Sequence, residues 1–324
     1  AYLHLLENAQ GFSPHAADAL REAAGSRALF AYPDPQYRSL TEVVAQEAGT
    51  TPDHILMAPG SSDLIDRVLR LFTAPGDEVV MTKPTWSFFY AFVQRWQVAA
   101  VHVPMTGSLD KGDMRHDLAG LLAAITPRTR VVYLVNPCNP TGTMVDPRAL
   151  ESFVQQLPAH VVAVIDEAYV QYADAAQVPR LASVIDHCDA QVLVLRTFSK
   201  FFGLGGMRLG YALGKPATLR LLAKADLPFA ISTPSVIAAK AALGDLEFRQ
   251  RVADANAAGR RQLLDGLAAL GLAAQPSQTN FVLFDAPVAP ATMREALRLE
   301  GLVLPQVDQF LRNHMLLAVG RAEH

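Results

Sequence analysis

The sequence has little of what marks several large classes of protein. Only two cysteines, Cys138 and Cys188, occur in 324 residues, which excludes a disulfide scaffold and predicts two reduced core thiols. No apolar run approaches the roughly 18–20 residues that a bilayer-spanning helix needs. No basic N-terminal region followed by an apolar stretch marks a signal peptide. We therefore expect a soluble, cytoplasmic protein without a membrane partner.

Charge of one sign is not in excess either. Lysine and arginine total 28 against 31 aspartates and glutamates, and the signs are mixed along the chain. Without a basic face, nucleic acid is not expected as a partner. A hydrophobic fraction of 51% against 18% charged residues predicts a sizeable core and excludes a disordered chain. At roughly 100–200 residues per domain, two domains are expected.

Short β-branched runs alternate with helical spacing from about residue 55 to residue 212. The runs span residues 78–81, 98–103, 131–135, 161–165 and 191–196. Apolar strands separated by amphipathic helices predict an α/β fold with a large, doubly wound and mostly parallel sheet. In such sheets, ligands bind in the crevice beyond the carboxyl ends of the strands.

The pattern changes after about Pro228. A long helical pattern at 246–270 precedes an apolar run at 281–284, a helix at 291–299 and apolar runs at 302–304 and 315–319. A smaller α+β domain is expected there. The predicted organisation is an N-terminal arm (1–25) packed on the smaller domain, a large domain (26–227) and a small C-terminal domain (228–324).

Polar residues follow three of the predicted strands directly. The segments are Asn136-Pro137-Cys138-Asn139-Pro140-Thr141-Gly142, Asp166-Glu167-Ala168-Tyr169 and Arg196-Thr197-Phe198-Ser199-Lys200. Because the carboxyl ends of parallel strands meet at one edge of a sheet, we expect these side chains to converge.

Lys200 stands out because lysine is scarce, with six in the whole chain. It lies between a strand and the apolar pair Phe201-Phe202. An ammonium beside apolar groups and other cations loses charge stabilisation, so its pKa falls and the amine becomes nucleophilic. Such a lysine can form a Schiff base with a carbonyl, whereas an isolated lysine is more often a surface residue.

Asp166 and three further residues suit a planar heterocycle. A carboxylate buried at a strand end can hold a pyridinium nitrogen protonated, which makes the ring an electron sink. Tyr169 and Asn139 offer a phenol and an amide to a ring oxygen, and Trp86 is placed to stack on the ring. Taken singly, Asp166 is also explained as a helix cap and the other three as core residues.

A phosphate site is indicated by the segment Gly60-Ser61-Ser62-Asp63, which precedes an apolar helical pattern. Small residues at a helix N-terminus leave free N–H groups that bind an anion, although Ser-Ser-Asp alone is usually an N-cap. Ser199 and Arg208 flank Lys200 and can complete the phosphate site through charge-assisted hydrogen bonds.

Together these motifs resemble the class I/II aminotransferases, the fold-type-I enzymes that use pyridoxal 5′-phosphate, and most of all their histidinol-phosphate branch. The resemblance runs from Leu6-Glu7-Asn8 through Tyr32-Pro33-Asp34-Pro35 to Val319-Gly320. It implies an amino-acid biosynthetic enzyme that passes an amino group from an amine to a 2-oxo acid. No metal is expected.

The resemblance also implies a role for each motif residue. Lys200 would be the Schiff-base lysine and proton carrier, Asp166 the partner of the pyridine nitrogen, and Tyr169 a contact of the ring oxygen. Tyr32 would reach the cofactor phosphate of a neighbouring subunit, which implies a homodimer. The implied cofactor contacts are Gly60, Ser61, Ser62, Trp86, Asn139, Asp166, Tyr169, Thr197, Ser199, Lys200, Arg208 and Tyr32.

Two positions depart from the family. Leu316 stands where the resemblance implies a substrate-binding arginine, and Pro305 replaces a second one. Each lost guanidinium removes charge-assisted hydrogen bonds worth roughly 1.5–3 kcal/mol. Arg312 or Arg321 could substitute from a shifted position, although both are also explained as surface charges.

Three alternatives follow. A decarboxylase, lyase or cyclase would keep the cofactor and change the reaction, and the missing arginines favour that option. A non-catalytic cofactor-binding regulator would need a DNA-binding domain, for which there is no room. A nucleotide-binding protein would use Gly203-x-Gly205, but the sixth position of that pattern is Arg208 rather than glycine.

Overall fold

The computed structural model of the protein describes residues 4–305, 311 and 313–321. Its main feature is a seven-stranded sheet in the order β1-β7-β6-β5-β4-β2-β3. The strands are β1 (Ile55–Ala58), β2 (Glu78–Lys83), β3 (Ala99–Pro104), β4 (Thr129–Val135), β5 (Val162–Asp166), β6 (Gln191–Thr197) and β7 (Gly210–Gly214). Strands β3, β2, β4, β5 and β6 run parallel, and β7 is antiparallel to both β1 and β6.

Helices cover the sheet, and a second sheet follows it in the chain. The helices are α1 (Pro14–Ala24), α2 (Arg38–Ala48), α3 (Ser61–Phe72), α4 (Phe89–Arg95), α5 (Leu118–Ala123), α6 (Pro147–Gln155), α7 (Pro216–Ala223), α8 (Thr233–Gly244), α9 (Leu246–Ala269) and α10 (Pro290–Leu299). The second sheet is the antiparallel pair β8 (Phe281–Asp285) and β9 (His314–Ala318). None of the helices within the described ranges has the length and apolar character that a membrane crossing requires.

Strands β2, β4, β5 and β6 are mostly buried on both faces, and successive side chains of each strand point to opposite sides of the sheet. In β4, Val132 and Leu134 belong to one hydrophobic cluster, while Val131 and Tyr133 belong to the other. A strand that is covered on both faces has no polar side, which explains its continuous apolar sequence. The predicted α/β class, with a large and mostly parallel sheet, is confirmed.

The five predicted strands each overlap an observed one, and the two unexpected strands, β1 and β7, lie side by side at one end of the sheet. Neither β1 nor β7 was expected as a strand, since β1 has four residues and β7 is bounded by glycines. The apolar run at 302–304 forms none of the strands described here, although Leu304 is buried. The division into an arm and two domains stays a prediction.

The N-terminal segment joins distant parts of the chain. Ser13 is the N-cap of α1, and its hydroxyl donates to Asp245 at 2.6 Å. Asp245 is in turn the N-cap of α9 and accepts from the Phe248 backbone N–H at 3.1 Å. One side-chain hydrogen bond therefore links the starts of two helices, and α1 also packs against α8.

The strand register brings the motif residues to one edge of the sheet. Val135 pairs with Asp166, and Asp166 pairs with Leu195. The pairing continues one residue further, because Asn136 N donates to Asp166 O at 2.8 Å and Glu167 N donates to Leu195 O at 2.8 Å. The three segments that follow β4, β5 and β6 thus leave the sheet side by side.

A buried ion pair ties the ends of β5 and β6 together. Glu167 is fully buried, and its Oε2 accepts from Arg196 Nε at 2.8 Å. Burial raises the pKa of Glu167, and the charge of Arg196 opposes that rise. The other oxygen, Oε1, has no hydrogen-bond partner in the described part of the chain, so the carboxylate depends on Arg196.

Arg196→Met is expected to lower the free energy of unfolding by about 3–5 kcal/mol, because it leaves a buried carboxylate without its counter-charge. The loss should be smaller at about pH 5.5 than at about pH 8, since Glu167 in the variant must take up a proton to stay buried. Urea unfolding at both pH values measures the loss in the free energy of unfolding. Arg220→Met, an exposed residue of α7, is the control and should change stability by less than about 0.5 kcal/mol. An equal loss at both pH values would contradict the pairing.

Candidate active site

Lys200 lies at the carboxyl edge of the sheet, directly after β6. Its Nζ donates to the Leu5 backbone oxygen at 2.7 Å and sits 5.5 Å from the centre of the Tyr169 ring. Partial burial lowers the pKa of Lys200 to about 8, and the nearby Arg208 charge acts in the same direction. Glu7 and Asp166 oppose the shift by attracting the ammonium. A larger fraction of this amine than of an ordinary lysine is therefore neutral, and nucleophilic, near neutral pH.

Asp166 is the last residue of β5 and is 4% exposed. Its Oδ2 accepts from the Tyr133 hydroxyl at 2.9 Å, and its Oδ1 accepts from the Ala168 backbone N–H at 3.1 Å. Burial raises the pKa of Asp166 to about 6, and the two hydrogen bonds and the Lys200 charge limit that rise. At pH 7 the group is mostly a carboxylate that can pair with a cation.

Asn139 and Tyr169 meet in front of β4 and β5. The Asn139 Nδ2 donates to the Tyr169 hydroxyl oxygen at 3.2 Å. The Tyr169 ring is held edge-on by Phe281, with ring centres 5.3 Å apart. Burial raises the pKa of Tyr169 well above its usual range, so its hydroxyl stays protonated and can donate a hydrogen bond.

The start of α3, the start of β7 and Arg208 form a small cradle, which we call the Gly60 cradle. Gly60 has φ +95°, and a Cβ built on it would lie 3.0 Å from Arg208 Nη2. A Cβ on Gly210 would lie 2.8 Å from Ser61 N. Side chains at these glycines would fill the space in which the first N–H groups of α3 and the Arg208 guanidinium meet. Such a place binds an anion.

Thr197 and Ser199 border the Gly60 cradle. Thr197 pairs with Gly210 across β6 and β7, which puts it beside the start of α3. Its hydroxyl donates to Ser199 Oγ at 3.0 Å and accepts from Ser199 N at 3.1 Å. Ser62 follows Ser61 in the first turn of α3 and is partly exposed.

Trp86 and Tyr32 each pack against aromatic side chains. Trp86 follows the end of β2 and packs against Phe88 and Phe92, with ring centres 5.7 and 6.3 Å away. Tyr32 is 81% exposed, and its ring packs on Phe229 at 4.7 Å. Its exposure leaves Tyr32 accessible to a second molecule.

Two contributions to the site were not predicted from the sequence. The first is the hydrogen bond from Tyr133 to Asp166. A tyrosine inside an apolar strand could have indicated it, because a buried hydroxyl needs a hydrogen-bond partner. The N-terminal segment covers Lys200, and the Asn280 amide holds it by donating to the Leu6 and Glu7 carbonyls at 3.0 and 3.2 Å. No local pattern signals this second contact, since the partners are far apart in sequence.

The two departures from the family are both buried. Leu316 is 1% exposed in β9, where it pairs with Leu283, and Pro305 is also buried. Of the two arginines considered as substitutes, Arg312 lies outside the described residues. Arg321 is exposed, and its Nε donates to the Ala9 backbone oxygen at 2.8 Å, which attaches it to the N-terminal segment.

Comparison with known proteins identifies the family of this chain. The profile of the family "Aminotransferase class I and II" matches residues 3–314. The chain is 35% identical to the histidinol-phosphate aminotransferase of Moorella thermoacetica over 94% of this chain and 77% of that protein. It is also 35% identical to histidinol-phosphate aminotransferase 2 of Methylococcus capsulatus, over 98% of this chain and 85% of that protein.

Solved structures agree. The histidinol-phosphate aminotransferase of Sinorhizobium meliloti in complex with pyridoxal 5′-phosphate superposes with a TM-score of 0.90 at 31% identity, covering 99% of this chain and 87% of that one. The Thermus thermophilus aspartate aminotransferase with maleate gives 0.85 at 25% identity, covering 99% and 87%. Nothing among these matches favours a decarboxylase or lyase. The chain belongs to the class I and II aminotransferases, and the predictions of an aminotransferase and of pyridoxal 5′-phosphate as its cofactor are confirmed.

Proposed function

We propose that this aminotransferase exchanges an amino group between a 2-oxo acid and an amino acid or an amine of the histidinol-phosphate type, with Lys200 as the lysine that holds the cofactor. The observation that carries the proposal is that Lys200, an amine of lowered pKa, and the buried carboxylate of Asp166 lie at or just after the ends of neighbouring strands at one sheet edge, near enough for their charges to interact. The names of the relatives from M. thermoacetica and S. meliloti supply the substrate type. A role in amino-acid biosynthesis is part of the proposal.

The residues present fit pyridoxal 5′-phosphate. The Gly60 cradle has the free N–H groups and the guanidinium that a phosphate requires, and Ser61, Ser62, Thr197 and Ser199 add hydroxyls. Asp166 suits the ring nitrogen, while Tyr169 and Asn139 suit the ring oxygen. Trp86 is proposed to stack on the ring.

When bound, this cofactor supplies an aldehyde that accepts amines and a ring that withdraws electrons from the carbon that loses a proton. The protein supplies the rest. Asp166 holds the proton of the ring nitrogen, because its carboxylate is buried and charged near pH 7. Tyr169 orients the ring oxygen through its hydroxyl. Lys200 would hold the cofactor, and its Nζ would serve as the base that takes up and returns the proton.

The proposal leaves two options for the anionic group of the substrate. With Leu316 and Pro305 in place of arginines, either a neutral substrate is bound or Arg321 holds the anion from its place against Ala9.

A cytoplasmic location is proposed as well, supported by the two buried free thiols of Cys138 and Cys188.

A panel of amines added one at a time to the holoenzyme tests the function. A true donor is expected to convert the bound cofactor to pyridoxamine 5′-phosphate in one turnover, and a 2-oxo acid should restore the original absorbance. The panel contains histidinol phosphate, histidinol and the aromatic amino acids, so that comparing the first two measures binding of the anion. Release of carbon dioxide without pyridoxamine 5′-phosphate would mean a decarboxylase.

Lys200→Ala is the key variant for this panel. It should lose the visible absorbance of the lysine-bound cofactor and turn over at least about 100-fold more slowly, because it lacks both the holding amine and the base. Lys240→Ala, an exposed residue of α8, should behave as the wild type. Wild-type absorbance in Lys200→Ala would refute the assignment of that lysine.

The pH dependence of cofactor loading tests the electrostatics of Lys200. Loading of the apoprotein should accelerate as the pH rises to about 8, where the neutral amine becomes the main form. Glu7→Gln removes an attraction for the ammonium, so the midpoint should move to lower pH and loading at about pH 7 should be roughly two- to fivefold faster. Glu22→Gln, an exposed residue of α1, is the control. A midpoint that stays or rises in Glu7→Gln would contradict the interaction.

We further propose a homodimer with shared sites. Leu29, Phe30, Tyr32, Leu227 and Phe229 are between 41% and 81% exposed, and together they form a hydrophobic surface around Tyr32. Hydrophobic surfaces of this kind are usually covered by a partner. In the proposed dimer, Tyr32 reaches the cofactor phosphate in the other subunit.

Mixed dimers of a Lys200→Ala chain and a Tyr32→Ala chain test the sharing. One of the two sites then contains both changes and the other contains neither, so purified mixed dimers should have about half of the wild-type activity. Each homodimer alone should be defective, and Tyr32→Ala should bind the cofactor roughly tenfold more weakly. Two tags allow the mixed species to be isolated. Fully active monomers, or mixed dimers as inactive as the parents, would exclude shared sites.

A further inference from the structure

Tyr133 is a buried tyrosine of the large sheet whose hydroxyl lies next to Asp166. It lies in the middle of β4 and is fully buried. Its hydroxyl donates to Asp166 Oδ2 at 2.9 Å. A buried polar group needs a partner, and this hydroxyl has one in the carboxylate at the floor of the site.

The position of the Tyr133 ring is fixed from several sides. Phe89, at the start of α4, stacks on it with ring centres 3.7 Å apart and an angle of 6°. The strand itself is held by pairing of Tyr133 with Met81 in β2 and with Val164 in β5. The hydroxyl therefore presents its proton to Asp166 from one constrained direction, which a flexible side chain could not do.

The direction of the hydrogen bond follows from the chemistry of both groups. Burial, together with the negative charge of Asp166, raises the pKa of Tyr133 far above its usual value, so the phenol keeps its proton. A carboxylate can only accept. Each of its oxygens accepts more than one hydrogen bond, so the bonds from Tyr133 and Ala168 leave capacity for a third donor.

The groups around Asp166 shift its pKa in opposite directions. Burial and the neighbouring Glu167 favour its neutral form, whereas Tyr133, the Ala168 N–H and Lys200 favour the charged form. Tyr169 and Cys138, whose charges would act on Tyr133, keep their protons because burial raises both pKa values. Glu167 is itself paired with Arg196. The Tyr133 hydrogen bond is the largest of the influences that favour the charge.

We propose that Tyr133 is a positioning residue whose hydroxyl fixes Asp166 Oδ2 and keeps the carboxylate charged, so that Asp166 can hold the proton of the cofactor's ring nitrogen. The inference rests on the proposed role of Asp166. Tyr133 acts through that carboxylate.

Tyr133→Phe tests the inference without the cofactor. It keeps the ring that stacks on Phe89 and removes only the hydroxyl. In the apoprotein, ¹³C NMR of labelled aspartate follows the ionisation of Asp166, whose signal is identified by its loss in Asp166→Asn. The ionisation constant of Asp166 is expected to fall by about 10- to 100-fold in Tyr133→Phe, since a hydrogen bond to a charged acceptor is lost.

Tyr172→Phe is the matched control. Tyr172 is also buried, and its hydroxyl has no hydrogen-bond partner among residues 4–305, 311 and 313–321. This variant should leave the ionisation of Asp166 unchanged. An unchanged ionisation in a folded Tyr133→Phe protein, or an equal change in Tyr172→Phe, would overturn the inference.

A second substitution covers the case in which Tyr133→Phe does not fold. Site-specific 3,5-difluorotyrosine at position 133 keeps the hydroxyl and makes it a stronger donor, so the ionisation constant of Asp166 should rise. No change there would equally overturn the inference.

The holoprotein separates this inference from the proposed function. With cofactor labelled by ¹⁵N in the ring, Tyr133→Phe should show a smaller protonated fraction of the ring nitrogen at about pH 7, because the more basic carboxylate draws the shared proton toward itself, and it should bind the cofactor about tenfold more weakly. If the wild type binds no cofactor, the proposed function fails while the apoprotein result stands. If the wild type binds a protonated ring and Tyr133→Phe behaves identically, the role of Tyr133 fails alone.

Discussion

A charged carboxylate kept out of water is the constraint on which the rest of this site depends. Asp166 is 4% exposed at the end of a central strand, and burial alone would favour its neutral form. Its charge persists because Tyr133 and the Ala168 N–H donate to it and because Lys200 is nearby. Burial also lowers the pKa of Lys200, so the same physical cause sets the charge state of both the carboxylate and the amine.

The sheet supplies the precision for this arrangement. Parallel pairing of β4, β5 and β6 places Val135, Asp166 and Leu195 in one row, and the polar segments that follow them start from that row. Behind the row, Glu167 and Arg196 form a buried pair that connects the ends of two strands. Groups held by strands move less than groups on free loops, which favours a site that must orient a flat cofactor.

The helix that starts at Ser61 contributes to the opposite end of the same site. Two glycines, Gly60 and Gly210, let Arg208 and the start of β7 approach the helix N-terminus more closely than any side chain would allow. The resulting cradle attracts anions through N–H groups and one guanidinium. In contrast, Leu316 and Pro305 are buried apolar residues, so neither of these two positions offers a charged group to a substrate.

The sequence by itself determined the family, the cofactor and the α/β class. Its apolar strands and the motifs after them are local patterns, and convergence at a sheet edge is a general property of parallel strands. Only the tertiary structure decided that Tyr133 donates a hydrogen bond to Asp166 and that Lys200 donates one to the Leu5 carbonyl. The approach of Arg208 to Gly60 in the Gly60 cradle was also decided there. These contacts join residues far apart in the chain, and their existence depends on distances and directions that no local pattern encodes.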